Sequence, residues 1–316
     1  MSVTYPTLPA PFITDVQHTA IAIAYKNPAF IAESVVPTVT VDAPTFTWNQ
    51  FNQKDRFTLP AEGIEVSRRG LVPEVDFSAV EQSAVTKDYA LDGAVPRRDQ
   101  MAKPSMNALN RTTEQTAELR DLAREKRTSD MVFNTASYAS GNSTTLSGTS
   151  QWSDKTNSDP ILAMLTVMDS MLVRPNQLVL GHLVATQLRT HPKIVQAFNG
   201  TTGQYGQVPL AFIQELLEID EIVVGRSVYN AANKGQSTNL TRLWGKHAAL
   251  LYKNPITAST EDFTFAVSAQ WGRGLAGRYF DEKKGAYGSD IVRVVESRKE
   301  LVLANDCGYF FQNAIA

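Results

Sequence analysis

Cysteine, long apolar runs and a surplus of either charge are all scarce in this chain of 316 residues. The single cysteine, Cys307, excludes an intrachain disulfide and suits a reducing compartment. No apolar run of about 18 residues occurs, so we expect no membrane contact. The first residues lack a basic segment followed by an apolar core, so we expect no secretory signal. With 30 basic and 32 acidic side chains, the balance argues against a dedicated nucleic-acid binder.

The usual signatures of catalysis and metal binding are also missing. The sequence has no Walker A loop, no H-E-x-x-H pair and no G-x-S-x-G elbow. The histidines are too far apart in sequence to suggest a shared metal ion; they are His18, His182, His191 and His247. We expect them at the surface or at helix caps, and Cys307 as a small packing residue. We therefore predict no catalytic, cofactor-binding or metal-binding residues, and no cofactor.

One motif is of the kind found in an enzyme. Gly272–Gly277 matches G-x-G-x-x-G, and Glu296 follows at about the distance of a ribose-binding acid. A dinucleotide site needs a helix after the glycines, because the pyrophosphate sits on the helix N-terminus. The residues that follow have no apolar helical stripe. We interpret the glycines as a turn between strands and keep an NAD-binding enzyme as a weak alternative.

Charge is distributed unevenly along the chain. Residues 1–50 hold four charged side chains, whereas residues 51–104 hold eight basic and nine acidic ones. The prolines at Pro6, Pro9 and Pro11 favour extended or turn conformations. The beginning of the chain is therefore predicted to be apolar, stiff and extended. It would dock either as a strap over its own domain or as an arm on a neighbouring subunit.

Residues 46–91 show the alternation of β structure. The alternating pairs include Phe46 with Trp48, Phe57 with Leu59 and Ile64 with Val66. Pro60–Gly63 would form the hairpin loop between Leu59 and Ile64. Because an isolated charged hairpin is marginal in water, it would be either the edge of a larger sheet or a projection held by other subunits.

Residues 105–134 are predicted to form a long helix. No glycine or proline interrupts this stretch, and its charged residues can pair along the helix, Glu125 with Arg120 or Arg124 for example. The apolar stripe is thin; it consists of Leu109, Leu119, Leu122 and Ala123. So polar a helix is expected to lie across a sheet or along a subunit boundary.

The remaining chain mixes short helices and strands. Residues 137–158 are polar and are predicted to form a surface loop, after which Ser158–Pro160 should open a helix. Leu178–Gly181 indicates a strand, and Ile291–Val295 and Leu301–Leu303 indicate two more near the end. This is an α+β plan rather than the regular strand–helix alternation of a doubly wound fold.

This order of parts resembles the major capsid protein of tailed bacteriophages, with the Hong Kong 97-type fold. The segments NQLVLGHLVATQLRTHPKIVQAF (176–198) and YGSDIVRVVESRKELVLANDCGYFF (287–311) are similar to capsid sequences of this group. The resemblance implies six segments along the chain. They are an extended N-terminal arm (1–45), an E-loop hairpin (46–100), a P-domain with a spine helix at about 107–134 (101–175), an A-domain (176–284), a P-domain return strand (285–304) and a C-terminal A-domain strand (305–316).

The resemblance also implies a structural function rather than an enzymatic one. Copies of the chain would form the hexamers and pentamers of an icosahedral head around double-stranded DNA, which they would contact weakly and without sequence preference. Further implied partners are scaffolding and portal proteins, with decoration proteins as another option. The protein would reside in the virion, and in the host cytoplasm during assembly. The shell of a cellular nanocompartment with the same fold is the alternative.

Overall fold

Two β-sheets and one long helix organise the chain. The computed structural model describes residues 13–24, 27–51, 58–59, 64–66, 79–102, 107–200, 205–233, 235–254 and 263–316, and the single residues 68, 70, 72, 74 and 203. The helices are Val16–Ala24 (α1), Ala32–Val35 (α2), Arg97–Ala102 (α3), Ala108–Val132 (α4), Pro160–Ser170 (α5), His182–Arg189 (α6), Pro192–Asn199 (α7) and Leu210–Leu217 (α8). The strands are Ile13–Thr14 (β1), Thr38–Val41 (β2), Thr45–Phe51 (β3), Ala79–Val85 (β4), Lys87–Pro96 (β5), Ser143–Thr145 (β6), Gln177–Gly181 (β7), Glu221–Gly225 (β8), Val228–Asn230 (β9), Leu240–Arg242 (β10), Ala248–Leu251 (β11), Ala266–Asp281 (β12), Ser289–Val302 (β13) and Gly308–Gln312 (β14). In this described part, no helix is both long and apolar enough to cross a membrane.

The longer sheet is built around the hairpin of β12 and β13. These strands pair antiparallel, β5 pairs with the other side of β13, and β1 and β2 pair with β12. The predicted segment Ile291–Val295 and the first two residues of Leu301–Leu303 belong to one strand of 14 residues, which ends at Val302. At about 3.4 Å per residue, β13 spans about 45 Å, which gives α4 a long surface to lie on.

The predicted long helix is confirmed as α4. It runs for 25 residues, and the Asn107 side chain accepts a hydrogen bond from the backbone N–H of Asn110 at its start. It lies across β13 and β5, as expected for so polar a helix. Its length is about 37 Å at 1.5 Å per residue, close to the length of the strand beneath it.

The predicted apolar stripe of α4 is wrong at Leu119 and Ala123, while Leu109 and Leu122 are partly buried. Leu119 is 57% exposed and Ala123 is exposed, while the buried face carries hydroxyls and one carboxylate. The buried residues of α4 are Thr113, Thr116, Ala117, Glu125, Thr128, Ser129 and Val132. The Thr116 hydroxyl donates to the carbonyl of Thr112 at 2.7 Å, so it is satisfied inside the fold. A Cβ at Gly93 of β5 would collide with the side chains of Thr112 and Thr116, which shows how closely the helix approaches the sheet.

The second sheet carries the largest apolar core. Its strand order is β6-β14-β11-β7-β8, and α5 to α8 cover one face. On that face Leu178, Leu180 and Leu250 pack with helix residues such as Met164 and Ile213. The alternate residues of the strands face the other way and belong to a second cluster, which includes Val132 of α4 and Trp244. This sheet therefore has two buried faces, and the second one meets α4.

The stretch 137–158 is not the surface loop predicted from its polar composition. It contains β6, which pairs in parallel with β14, and it buries Trp152 at 1% exposure against Phe311. The backbone N–H of Trp152 donates to the carbonyl of Ala314 at 2.7 Å, so the residues after β14 hold this segment in place. The predicted helix start after it is confirmed, since Asp159 accepts from the N–H of Leu162 and Pro160 begins α5.

The first 45 residues are not uniformly extended. Asp15 accepts from the N–H of Gln17, and α1 follows without an acidic or a basic residue in its end turns. The Thr19 hydroxyl donates to the carbonyl of Ala276 in β12 at 2.8 Å. From residue 13 onward this segment is a strap over its own chain, the first of the two alternatives. The stretch with Pro6, Pro9 and Pro11 lies outside the described residues.

A single buried carboxylate joins α4 to three other segments. Glu125 is fully buried, and its predicted pairing with Arg120 or Arg124 is wrong. It instead accepts hydrogen bonds from the N–H groups of Ile31 and Ala32, from the Trp244 indole at 2.6 Å and from the Ser227 hydroxyl. These donors satisfy a buried charge without a cation, so the carboxylate fixes where α2 and Trp244 sit on the helix.

We expect Glu125→Ala to lower the free energy of unfolding of the unassembled subunit by about 2–4 kcal/mol, because several buried donors lose a charged acceptor. Urea unfolding followed by circular dichroism measures this loss. Glu114→Ala, on the exposed side of the same helix, is the matched control and should stay within about 0.5 kcal/mol of the original. Equal losses of unfolding free energy in the two variants would show that the contacts of Glu125 stabilise the subunit no more than an exposed glutamate does.

Candidate assembly surfaces

The hairpin of β3 and β4 is tied to the body at its base and open on one side. The strands pair antiparallel from Thr45 with Val85 to Phe51 with Ala79, which confirms β structure in this region. Trp48 is 8% exposed and packs in a cluster with residues of β2 and β12, whereas Val80 is 62% exposed. The open side therefore presents apolar surface that nothing in the described chain covers.

Most of the hairpin beyond this base lies outside the described residues. That holds for Phe57 and for the predicted loop Pro60–Gly63. Leu59 and Ile64 are described; they are 76% and 71% exposed and are not in strands, so the predicted strand pairing is wrong at these two positions. β5 does not continue the hairpin, because it pairs with β13 in the long sheet.

A second apolar surface lies on α1. The inner side of this helix packs through Ala22 on Ala117 of α4 and Ala276 of β12. The outer side leaves Val16 at 85% and Ile23 at 50% exposure. The helix carries no charged residue, so its outer side is better suited to contact with another protein surface than with water.

Glu296, the candidate ribose acid, lies between α4 and β13. It is 3% exposed, and its Oε2 is 3.0 Å from Nε of Arg298. Arg127 Nη2 lies 3.5 Å from Oε1, and Arg120 Nε lies 3.7 Å from Oε2. Burial lowers the pKa of Arg298, and the neighbouring Arg124 lowers it further. The carboxylate therefore holds the long helix on the long strand and has no room for a ribose.

The glycine motif does not form a dinucleotide site. Gly272, with a φ of 65°, lies at an irregularity of the β12–β13 pairing between Trp271 and Leu275. β12 then continues to Asp281, so no helix follows the glycines. The predicted turn between strands is also wrong, because the motif is a bulge inside one strand; glycine is suited to it by its positive φ.

The histidines are more buried than a surface position would make them, while His191 is the N-cap residue of α7, which confirms the predicted capping position there. His18 is 4% exposed with its Nδ1 2.7 Å from Oδ2 of Asp15, and His191 is fully buried with its Nε2 3.2 Å from the Ser158 hydroxyl. His247 is half-buried and accepts from a backbone N–H, and His182 begins α6. Burial lowers the pKa of His182, His191 and His247. Among the described residues, no group of three or more His, Cys, Asp or Glu side chains could hold a metal ion.

Cys307 is a packing residue, as predicted. It is fully buried in a short 3₁₀ turn, Asn305–Cys307, just before β14. Burial, with a smaller contribution from Asp306, raises the pKa of its thiol to about 12. Because the thiolate is the reactive form, the side chain cannot serve as a nucleophile near neutral pH.

The sequence is similar to two phage proteins along most of its length. The major capsid protein of Pseudomonas phage JBD67 is 46% identical over 308 residues, which cover 97% of this chain and 99% of that protein. The major capsid protein of Burkholderia phage BcepMu is 26% identical over 246 residues, 76% of each chain. No protein-family model matches the chain.

Several solved structures share the fold. A phage-related protein from Bordetella bronchiseptica RB50 superposes with a TM-score of 0.74 at 22% identity, covering 96% of this chain and 98% of that one. The capsid protein of Cyanophage P-SCSP1u gives a TM-score of 0.58 at 9% identity, covering 99% and 92%. A virus-like particle protein from Pyrococcus furiosus gives 0.55 at 9% identity, covering 94% and 98%. At these identities the structures show the shared fold alone.

We expect Cys307 to be unreactive in the folded protein. An aromatic disulfide reagent at pH 8 should modify the unfolded chain at its one cysteine and leave the native protein unmodified over the same time, because only about one thiol in ten thousand is ionised at a pKa of about 12. Absorbance of the released thiolate reports both reactions. Rapid modification of the native protein would mean that this thiol is accessible and ionised.

Proposed function

This chain belongs to the family of phage major capsid proteins, and from that premise we propose that its copies form the hexamers and pentamers of an icosahedral head around double-stranded DNA. The fold is the Hong Kong 97-type capsid fold. The observation that carries the proposal is the 46% identity to a major capsid protein over 97% of the chain.

Unpartnered surfaces of the subunit support an assembly of this kind. The open side of the β3–β4 hairpin and the outer side of α1 expose apolar side chains, including Val80 at 62% and Val16 at 85%. Each surface is small, and association of two copies has to overcome a loss of translational and rotational freedom. In a closed shell every copy makes such contacts with several neighbours at once, so modest interfaces suffice.

We propose the six segments implied by the resemblance as the domains of the subunit. The long sheet with α4 supports a P-domain that joins the spine helix of 101–175 to the return strand at 285–304. In the second sheet, β7, β8 and β11 with α6 to α8 support an A-domain within 176–284, and β14 supports assigning 305–316 to the same domain. Two boundaries are crossed: α5 and β6 of 101–175 belong to the second sheet, and β12 of 176–284 belongs to the long sheet. Within 46–100, the part that would project as the E-loop lies between β3 and β4, because β5 pairs with β13. Residues 1–45 would be the N-terminal arm, with its inner part strapped to its own subunit.

The proposed partners follow from the same assignment. Scaffolding, portal and decoration proteins would contact the shell, and packaged DNA would touch it weakly, in keeping with a formal net charge of −2. The protein would be assembled in the host cytoplasm and reside in the virion. We propose no catalytic function, and the bulge at Gly272 together with the buried ion pairs of Glu296 removes the basis for an NAD site.

The nanocompartment alternative has weaker support. The virus-like particle from Pyrococcus furiosus shares the fold at 9% identity, whereas the Pseudomonas phage protein shares 46% of its residues with this chain. Genomic context discriminates between the two. Neighbouring portal and terminase genes would agree with a phage head, and a neighbouring cargo enzyme would favour a nanocompartment.

Purified recombinant protein should form capsomers, tubes or closed shells, because the subunit leaves apolar surfaces uncovered. Negative-stain electron microscopy over a range of protein concentrations, with and without the phage's scaffolding protein, tests this. The expected result is assemblies with six-fold and five-fold rings. A strictly monomeric protein under all these conditions would contradict the proposal.

Deleting Phe57–Val66 should leave the subunit folded and block closure of the shell. The described residues of this stretch, 58–59 and 64–66, lie outside strands and are exposed, so their removal takes no buried side chain from the core. Circular dichroism and the melting transition should match those of the full-length subunit, and micrographs should show no closed shells. Normal shells from the deletion variant would mean that this segment is not the E-loop.

A further inference from the structure

The outer strand of the second sheet, β8, has opposite charges at its two ends. Four acidic residues lie within Glu215–Glu221, up to the first residue of the strand. After Glu221 the next acidic residue is Glu261, and all charged residues between these two are basic. Because β8 pairs with β7 on one side and has no strand on the other among the described residues, this edge of the sheet is open to another molecule.

Acidic side chains outnumber basic ones at the start of β8. The acidic residues here are Asp169, Glu215, Glu218, Asp220 and Glu221, and the basic residues are Arg174 and Lys253. Arg174 lies 3.2 Å from Glu218, and Lys253 lies 3.4 Å from Glu221. Within the described chain, Glu215 and Asp220 are exposed and have no ion-pair partner. We call this group the acidic end.

Three basic residues from outside the strand lie near the C-terminal end of β8, and we call this group the basic end. They are Arg226, Arg242 and Lys246. Arg242 donates to the carbonyl of Arg226 at 3.2 Å, and Lys246 follows a glycine whose carbonyl lies against Gly181 at the end of β7. No carboxylate of the described residues pairs with these three cations. Burial and then the charges of Arg242 and Arg226 lower the pKa of His182, so its ring lies in the same positive field.

Helix dipoles strengthen both ends. α8 finishes at Leu217 beside the acidic end, with no basic residue in its last turn, and the C-terminus of a helix is its negative pole. α6 begins at His182 beside the basic end, and the N-terminus of a helix is its positive pole. Acidic residues at a helix C-terminus are unfavourable in an isolated subunit. They become favourable when cations approach from outside.

The two ends cannot neutralise each other within one copy. Five residues at about 3.3 Å each separate them by about 16 Å. This distance is about twice the screening length of about 8 Å at physiological salt. The charge of one end therefore offsets little of the charge of the other, and each end stays available to a partner of opposite sign.

We propose that in each capsid ring the acidic end of one copy lies against the basic end of the next, an inference that rests on the proposed function. Contact between two different surfaces of identical subunits closes into a ring when the rotation allows it. In such a ring every acidic end meets a basic end, so no charge is left unmatched. Complementary charges at an interface select the correct partner and speed association.

The other candidate partner of the basic end is packaged DNA, whose phosphates would accept the same cations. A DNA contact would explain the basic end alone. It leaves the acidic end without a partner and would place it about 16 Å away along the same open edge, where it would repel the phosphates. A second copy accounts for both ends, so we favour it.

Charge reversal followed by charge swap tests the proposal. The acid-reversed variant carries Glu215→Lys and Asp220→Lys, and the base-reversed variant carries Arg226→Glu and Lys246→Glu; all four side chains are exposed and none has an ion pair in the described chain. Each variant should reduce the assembled fraction by about tenfold or more, because every ring contact then opposes like charges. The variant with all four changes should recover assembly. Melting transitions of the unassembled subunits verify that all variants fold.

The matched control adds Lys155→Glu and Lys283→Glu to the acid-reversed variant. It has the same formal charge as the four-fold swap, with the added acids at exposed positions away from β8. The proposal requires that this control stays unassembled. If the control recovers as well as the swap, or if both reversed variants assemble normally, the proposal is wrong. Normal shells of the base-reversed variant that only lose DNA would overturn it in favour of a DNA contact.

A measurement on the unaltered protein is independent of folding defects in variants. The initial rate of assembly, followed by light scattering, should fall as salt rises from about 0.05 M to about 0.5 M, because screening weakens attraction between exposed charges. A rate that does not change with salt would count against the charged contact. Absence of assembly at every salt concentration would instead contradict the proposed function itself.

Discussion

Two buried carboxylates on the interface of one helix determine how this subunit is put together. α4 is too polar to be held by its hydrocarbon surface, and Leu119, one of its few leucines, points away at 57% exposure. Glu296 of β13 binds the arginines of the helix from the sheet side, and Glu125 of the helix binds α2 and Trp244 on the other side. These contacts add directional restraints to the apolar cluster through which Ala266 and Val302 of the long sheet pack on Val179 and Phe310 of the second sheet.

Buried polar contacts of this type add little net stability, but they determine the position of α4 on the sheet. Burying a charge is costly, so pairs such as Glu296 with Arg298 add less net stability than an apolar core of equal size. They are directional, however, and a shift of α4 by one turn along β13 would leave a buried carboxylate without donors. A shell subunit needs this property, because a small error in the angle between its parts would be repeated by every copy in the shell. The close approach at Gly93 adds a steric limit to the same interface.

The sequence predicted the structural features that depend on residues close by in the chain and missed those that depend on residues far away in the sequence. The uninterrupted polar stretch predicted α4, and Asp159 with Pro160 predicted the start of α5, because capping and propensity act within one turn. The buried face of α4 could not be read from its pattern, because Glu125 is buried only in the presence of donors 94 and 119 residues away. Trp152 in its polar stretch and the bulge at Gly272 were missed for the same reason, since their partners lie on remote strands.

A near-zero net charge conceals two different uses of charge. Inside the subunit, Glu296 and its arginines form a buried set of ion pairs between α4 and β13, which defines one geometry. Outside, the acidic end of β8 holds more carboxylates than cations, and no carboxylate of the described residues pairs with the cations of the basic end. Buried ion pairs inside hold each copy in one shape, and the excess charge at each end of β8 is available to attract the opposite end of another copy. Because the two ends are opposite in sign, a growing ring offers its next subunit an attractive site at either end. A closed ring offers none, and this difference favours finite rings over continued growth.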